Sequence, residues 1–438
     1  MEEYYISPNE YRDRAKSDSQ AIQMAVDAAA ESLGGSRVVR IPRRCQRTGL
    51  DVWNIDRTIL LPSDITILLD DCRLRLADGV YQNIFRNKNV YTPEGSTTDG
   101  EQYGIRIIGI GNAVLDGGEP NDLNESTSDT NGLPNIRFNN LILLHNVRNY
   151  EMRDFSCVNM RWWAINQIFC RHGILQNLKF WNGEHLRNRD GINLRIGCSD
   201  ITIDNIRGRT GDDVVALTAL PLGGDRRFAI EGRDPDIHDV AIRNVYAHTR
   251  QSVVALRNCD GAQMYRITIE NIADIGGEYG PWGVVRIGEN NYYRQRPALL
   301  GETREIRVRG VHSLCRGTVF LAAGLQDSHI SDVFAGGSSM HAVSTFAPDV
   351  RSSETGCLIR GGVSMKNVVI DNIHYNGTAD HRDDTSVTLP DSDFAGAALD
   401  FRCIRETDTF QNVIFRDIFS CDGKKLAVVN PNISLDIR

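Results

Sequence analysis

Leu175-Gln176-Asn177-Leu178, Ile203-Asp204-Asn205-Ile206 and Ile242-Arg243-Asn244-Val245 are three statements of one phrase, in which two apolar residues enclose a polar pair drawn from residues such as Asp, Asn and Arg. The phrase also occurs at Met152–Phe155, Ile269–Ile272, Val308–Val311, Ile370–Ile373 and Phe415–Ile418. Its last members Phe155, Leu178, Ile206, Val245, Ile272 and Val311 follow one another at intervals of 23, 28, 39, 27 and 39 residues. A unit of about 22–28 residues, sometimes carrying an insertion of about a dozen, is too short for helix-pair repeats or propeller blades. One turn of a β-solenoid fits. In such a coil each strand pairs with its equivalent one coil away, so inward apolar residues stack into a continuous core at a rise of about 4.8 Å. A leucine-rich repeat is excluded because its leucine and asparagine framework is missing.

Outward from the repeats, the chain opens on a different pattern. Asp18-Ser19-Gln20 precedes apolar positions at Ile22, Val26 and Ala29, and Gly34-Gly35 follows. This predicts a capped amphipathic helix with a glycine stop. Short β-type runs then take over at Val38–Ile41 and Ile65–Leu69. The expected organisation is one all-β parallel β-helix over residues 1–438: an N-terminal cap with a short capping helix over 1–36, coils over 37–425 and a C-terminal tail over 426–438. A solenoid grows along its axis, so a chain of 438 residues need not divide into domains. The helix is expected to cover an open strand edge at the end of the coil.

The composition, 41% hydrophobic and 24% charged, suits a folded chain, and a net charge of −8 offers no general attraction to nucleic acid or to an anionic membrane. The start, Met1-Glu2-Glu3-Tyr4, is acidic where a signal peptide would be basic, and no transmembrane run follows. Ten cysteines stand as singletons without a CxxC pair or matching histidine spacing. They read as free thiols, and the expectation is a cytoplasmic protein with no cofactor, metal, nucleic-acid or membrane partner.

Registering the coils on their inward apolar residues makes Leu194, Leu217, Leu256 and Ile287 equivalent. Four positions upstream, Asp190, Asp213, Ser252 and Gly283 then stack, with Asp212 beside Asp213. One position downstream are Arg195, Thr218, Arg257 and Gly288; one upstream are Asn193, Ala216, Ala255 and Arg286. Carboxylates one rise apart repel, so their titrations couple and one proton is held at a raised pKa, giving an acid beside a base. Cleavage of a glycosidic bond needs that pairing. Two plainer readings stand beside it: aspartates that brace the turning backbone, and an oxygen-ligated Ca²⁺ site.

Asn188-Arg189-Asp190-Gly191-Ile192 followed by Thr210-Gly211-Asp212-Asp213 resembles the NTDG and GDD motifs of the polygalacturonase-like glycoside hydrolases of family 28. Gly109-Ile110-Gly111 and Leu115-Asp116-Gly117-Gly118 look like the same family's pre-catalytic strand. The resemblance implies a right-handed, single-stranded parallel β-helix and hydrolysis with inversion, with Asp212 as general acid and Asp190 and Asp213 positioning and deprotonating water. Two departures stand out. Gln251-Ser252-Val253 replaces the family's GHG motif, and Arg286-Ile287-Gly288 replaces RIK, keeping the arginine and losing the lysine that meets a substrate carboxylate. Arg257, one coil before Gly288, is placed to reach the same space.

Further candidates for holding a carbohydrate substrate are Arg161, expected directly before Asp190 on the column, Trp163 as a stacking platform, Arg195, His248, Arg286 and Tyr292 in a polar loop. Arg161 reads equally as a neutralising partner of Asp190, Trp163 as core packing and His248 as an exposed loop histidine. The function these residues imply is acid/base hydrolysis of an acidic, pectin-type glycan, with exo action expected. The alternatives are a polysaccharide lyase or an intramolecular glycosyl (fructo)transferase on the same scaffold, and a non-catalytic glycan-binding or tailspike-like protein.

Overall fold

The third residue of each phrase turns the chain. Asn177, Asn205, Asn244 and Asn271 hold φ between +54° and +59°, the left-handed region that Asn tolerates because its short polar side chain bonds locally. Gly310, at φ +71°, fills the same place in the Val308–Val311 phrase, where the missing Cβ removes the strain. The corner side chains form a ladder. Asn205 Nδ2 donates to Asn177 Oδ1 at 2.7 Å, and Asn271 Nδ2 to Asn244 Oδ1 at 2.6 Å. Five residues upstream of each, His172, Asp200, Asp239 and Arg266 make a second left-handed corner.

The computed structural model describes residues 4–32, 37–119, 139–183, 188–222, 225–276, 283–288, 296–314, 317–345, 362–378, 396–404, 406–421, 423–429 and 435–438. Among these, 17 strands form one parallel sheet that bends around the corners and 12 shorter strands form a second. The inward ladder runs Met152, Leu175, Ile203, Ile242, Ile269, Val308, Ile330, Ile370 and Phe415. All nine are buried, so the core is a column along the axis. The rung at Ile330-Ser331-Asp332-Val333 obeys the phrase and falls in the long interval between Val311 and Ile373.

The helix Asp18–Glu31 is capped by Ser17, whose Oγ accepts from Gln20 N at 3.3 Å, and it buries Ile22, Val26 and Ala29. Its polar side chains complete the edge it covers. Asn54 N donates to Asp18 Oδ2 at 2.8 Å, Asp56 N to Ser19 Oγ at 2.9 Å and Leu60 N to Gln23 Oε1 at 2.7 Å. Backbone groups without a neighbouring strand are thereby satisfied. Gly34-Gly35, the expected stop, lies outside the described residues.

Two expectations are corrected. The coils do not end at 425: Lys425–Val429 is a strand paired with Ala397–Phe401, so the first residues assigned to a tail belong to the last rung. Cys45, Cys72, Cys157, Cys170, Cys198 and Cys259 are buried free thiols and Cys421 is an exposed one, but Cys403 is disulfide-bonded. Among the described residues no helix is long and apolar enough to cross a membrane.

Candidate functional site

The short sheet supplies the register. Leu194 pairs with Leu217, Leu217 with Leu256 and Leu256 with Ile287, as the spacing predicts. Gln167 precedes Leu194 on this inward column, and its Oε1 accepts from the buried Tyr150 hydroxyl at 2.5 Å. In the turns that enter these strands, Gly191 N donates to Asp213 O and Val214 N to Ser252 O, each at 3.0 Å, and Ser252 pairs with Gly283. Asp190, Asp213, Ser252 and Gly283 therefore occupy consecutive rungs. Ala164 N donates to Asp190 O at 2.9 Å, which places Trp163, and not Arg161, on the rung before Asp190.

The three aspartates sit in different surroundings. Asp190 is 5% exposed; its Oδ2 accepts from Asn193 Nδ2 at 3.1 Å and its Oδ1 has no hydrogen-bond partner. Burial first, and the charges of Asp212 and Asp213 second, hold its pKa well above the usual carboxylate range. Asp212 accepts two amides, Asn188 N at 2.9 Å and Asp213 N at 3.0 Å. Its carbonyl takes the Thr210 and Thr249 hydroxyls, each at 2.5 Å, tying two successive turns together. Asp213 is ion-paired with Arg286 Nη2 at 3.0 Å. A carboxyl with a raised pKa thus stands beside one that accepts two amides and one paired with an arginine, an asymmetry that acid/base chemistry can use. Among the described residues no group of three or more His, Cys, Asp or Glu side chains converges as a metal-ligand set.

The remaining predicted residues divide. Arg286 and Arg195 reach the site. Arg195 lies 4.8 Å above the Trp163 ring and donates from Nε to Asp225 Oδ2 at 2.6 Å, a pair almost wholly buried. Trp163 is 7% exposed, with one neighbour in Trp162, stacked at 5.3 Å, and another in Arg195, so it is not an open platform for a sugar. Arg161 faces away. Its Nη1 and Nη2 donate to the carbonyls of Val80 at 2.6 Å and Ala77 at 3.0 Å, where it fixes an earlier turn. His248 is fully buried and hydrogen-bonds Asp274 at 2.8 Å through Nδ1; it is neither an exposed loop histidine nor a substrate contact in this structure. Arg257 is half-buried on the rung of Thr218. Tyr292 lies outside the described residues.

Sequence reading missed Asp225. It is 30 residues from Arg195, in an insertion between two coils that carries no periodic signal. That insertion, residues 225–236, is a strap running back along the helix axis. Asp225 holds Arg195; the Phe228 carbonyl accepts from His145 Nε2 at 2.9 Å; Arg233 reaches Asn146 Oδ1 at 3.0 Å and Glu101 Oε1 at 3.1 Å; and the Pro235 carbonyl returns to Gly197 N at 3.0 Å. From the rung of Arg195 to that of His145 is two strand spacings, about 10 Å. The outward face of the short sheet beside it is closed to water: Leu143, Asn166, Asn193, Ala216 and Ala255 are all at most 3% exposed. The aspartates thus stand at the end of a covered face.

No family model matches this chain, and no curated protein matches it in sequence. Solved structures do match in shape. A family 28 exopolygalacturonase of Yersinia enterocolitica shares a TM-score of 0.51 at 13% identity over 97% of this chain and 76% of its own. An exopolygalacturonase of Thermotoga maritima gives 0.52 at 15% identity over 84% of this chain and 92% of its own. An endo-xylogalacturonan hydrolase of Aspergillus tubingensis gives 0.50 at 12% identity, covering 99% of each chain. The chain has the fold of the polygalacturonase-like proteins, a right-handed parallel β-helix.

Proposed function

We propose that this protein is a glycoside hydrolase that cleaves by acid/base catalysis at Asp190, Asp212 and Asp213. The observation that carries the reading is the contrast within the trio: a buried Asp190 driven toward its protonated form beside Asp212, held by two amides, and Asp213, held by Arg286. By resemblance Asp212 is the acid that protonates the leaving oxygen. The geometry favours Asp190 as the carrier of the shared proton in the free protein, with Asp213 kept charged to activate water. One rung, about 4.8 Å, separates Asp190 from Asp213. The strap and the buried outward face support end-on attack in a recess over internal attack along an open groove.

The test is a screen of defined oligosaccharides for released reducing ends, with the anomer of the first product followed by NMR. Reducing ends that vanish in Asp212→Asn and Asp190→Asn support the reading, and an inverted first-formed anomer confirms the stereochemistry. No release from any oligosaccharide sinks it. A product absorbing in the ultraviolet identifies a lyase instead. The expected acidic substrate rested on Arg195, Arg257 and Arg286, two of which are committed to aspartates.

A further inference from the structure

We propose that the sugar unit held beside the aspartates is neutral, and that Asp225 is the specificity-determining residue that makes this recess refuse a uronate. The inference rests on the reading of the recess as a sugar-cleaving site. A uronate is recognised by a cation whose donors face the ligand, above all a guanidinium presented as a fork. Arg195 is the guanidinium best placed for that task, 4% exposed and lying across the Trp163 ring. Its Nε is taken by Asp225 at 2.6 Å, and the side chains of the pair are 5% and 1% exposed. Arg286 is matched by Asp213 at 3.0 Å, Arg189 lies in the field of Asp190 and Asp212, and Arg161 is spent on two carbonyls. A substrate carboxylate would join Asp212, Asp213 and Asp225, beside an Asp190 whose pKa burial already raises, in a space with little water. Without its own cation, a buried charge of that kind costs several kcal/mol.

The buried outward face carries groups suited to hydroxyl partners. Asn166, Asn193 and Thr218 are 3%, 1% and 5% exposed on the outward face of the short sheet. Two acceptors there, Asn166 Oδ1 and Asp190 Oδ1, are buried without a hydrogen-bond partner. An acceptor in that state is stabilised by a donor, which a sugar hydroxyl supplies and a carboxylate does not. The raised pKa of Asp190 agrees, since it records how these surroundings treat negative charge.

Pairs of glycosides that differ only at C6, a galactoside against the corresponding galacturonide, decide the matter. The neutral member is expected to have a kcat/KM at least about 100-fold higher. In Asp225→Asn, which leaves Arg195 with an uncompensated charge, that ratio is expected to fall at least tenfold through a gain on the galacturonide, and in Arg195→Gln/Asp225→Asn to return. A purely structural role for Asp225 would lower both activities together and leave the ratio unchanged. A wild-type preference for the galacturonide, or none, overturns the proposal, and its loss in Arg257→Gln would name Arg257 as the cation overlooked. If Asp225→Asn fails to fold, the wild-type ratio decides alone. If neither glycoside is cleaved, the oligosaccharide screen decides the hydrolase reading separately, and titration of the tryptophan fluorescence with galactose and galacturonate decides this one. Tighter binding of galactose supports neutrality, whereas tighter galacturonate or no binding of either overturns it.

Discussion

Asp190 keeps an oxygen without a partner in a corner that water scarcely reaches, and two carboxylates on neighbouring positions add to the strain. Its folded-state pKa is raised, so above the unfolded value near 4 the native state binds more proton than the unfolded chain, and stability falls as pH rises through that window. Removing the charge should therefore separate activity from stability. Asp190→Asn is expected to lower kcat by at least about 10²–10³-fold, with a Tm at pH 7 no lower than that of the wild type. Calorimetric melting beside an assay checks both. Asp213→Asn should behave in the opposite sense for stability, because it removes the carboxylate of a largely buried ion pair with Arg286 and costs up to about 3–5 kcal/mol. The two variants side by side distinguish a proton-bearing carboxyl from a salt-bridged one.

Corners and strap divide the work among the elements. The corner asparagines combine a left-handed backbone with a rung-to-rung hydrogen bond, so a substitution tests either part. Asn205→Gly keeps the backbone and loses the bond, about 1 kcal/mol. Asn205→Val adds the left-handed penalty of a β-branched residue, about 2–3 kcal/mol in all. Denaturant unfolding measured on the two should rank them in that order, with Gly310 as nature's own version of the first. Among the contacts that hold the strap are the Phe228 ring, 5.1 Å from the His145 ring, and Arg233 on Glu101. Phe228→Ala with Arg233→Ala is expected to open the recess and shift cleavage from chain ends toward internal bonds. The readout is a faster fall in viscosity per reducing end released, and an unchanged product pattern would show that the strap does not set the mode of attack.

For the molecule as a whole, two buried histidines control its response to acid. Burial pulls His145 and His341 down to about 4, from an ordinary value near 6.5. The unfolded chain takes up those protons first, so the histidines' contribution is full above about pH 6.5 and is lost as pH falls toward 4, by about 3 kcal/mol apiece. Melting temperatures from pH 7 to pH 4 should trace that fall, and His145→Gln should flatten it.

The coils, the inward column and the stacking of Asp190 under Asp213 were legible along the chain, since a solenoid turns sequence period directly into spatial neighbourhood at one rung per repeat. The rung at Ile330–Val333 carries the same phrase, inside the long interval between Val311 and Ile373. Insertions and side-chain direction were another matter. Arg161 was placed on the column from its number and instead turns to Ala77 and Val80, more than 80 residues earlier. His248 was read as a surface residue and lies under the next coil against Asp274. Asp225 carries no motif at all and acquires its meaning only where the strap lays it on Arg195. The repeat by itself thus determined the helix and the aspartate column, because both follow from local period and the fixed spacing of paired strands. Which arginines remain for a ligand was decided by tertiary structure alone, because that depends on what a non-periodic loop brings back across the sheet.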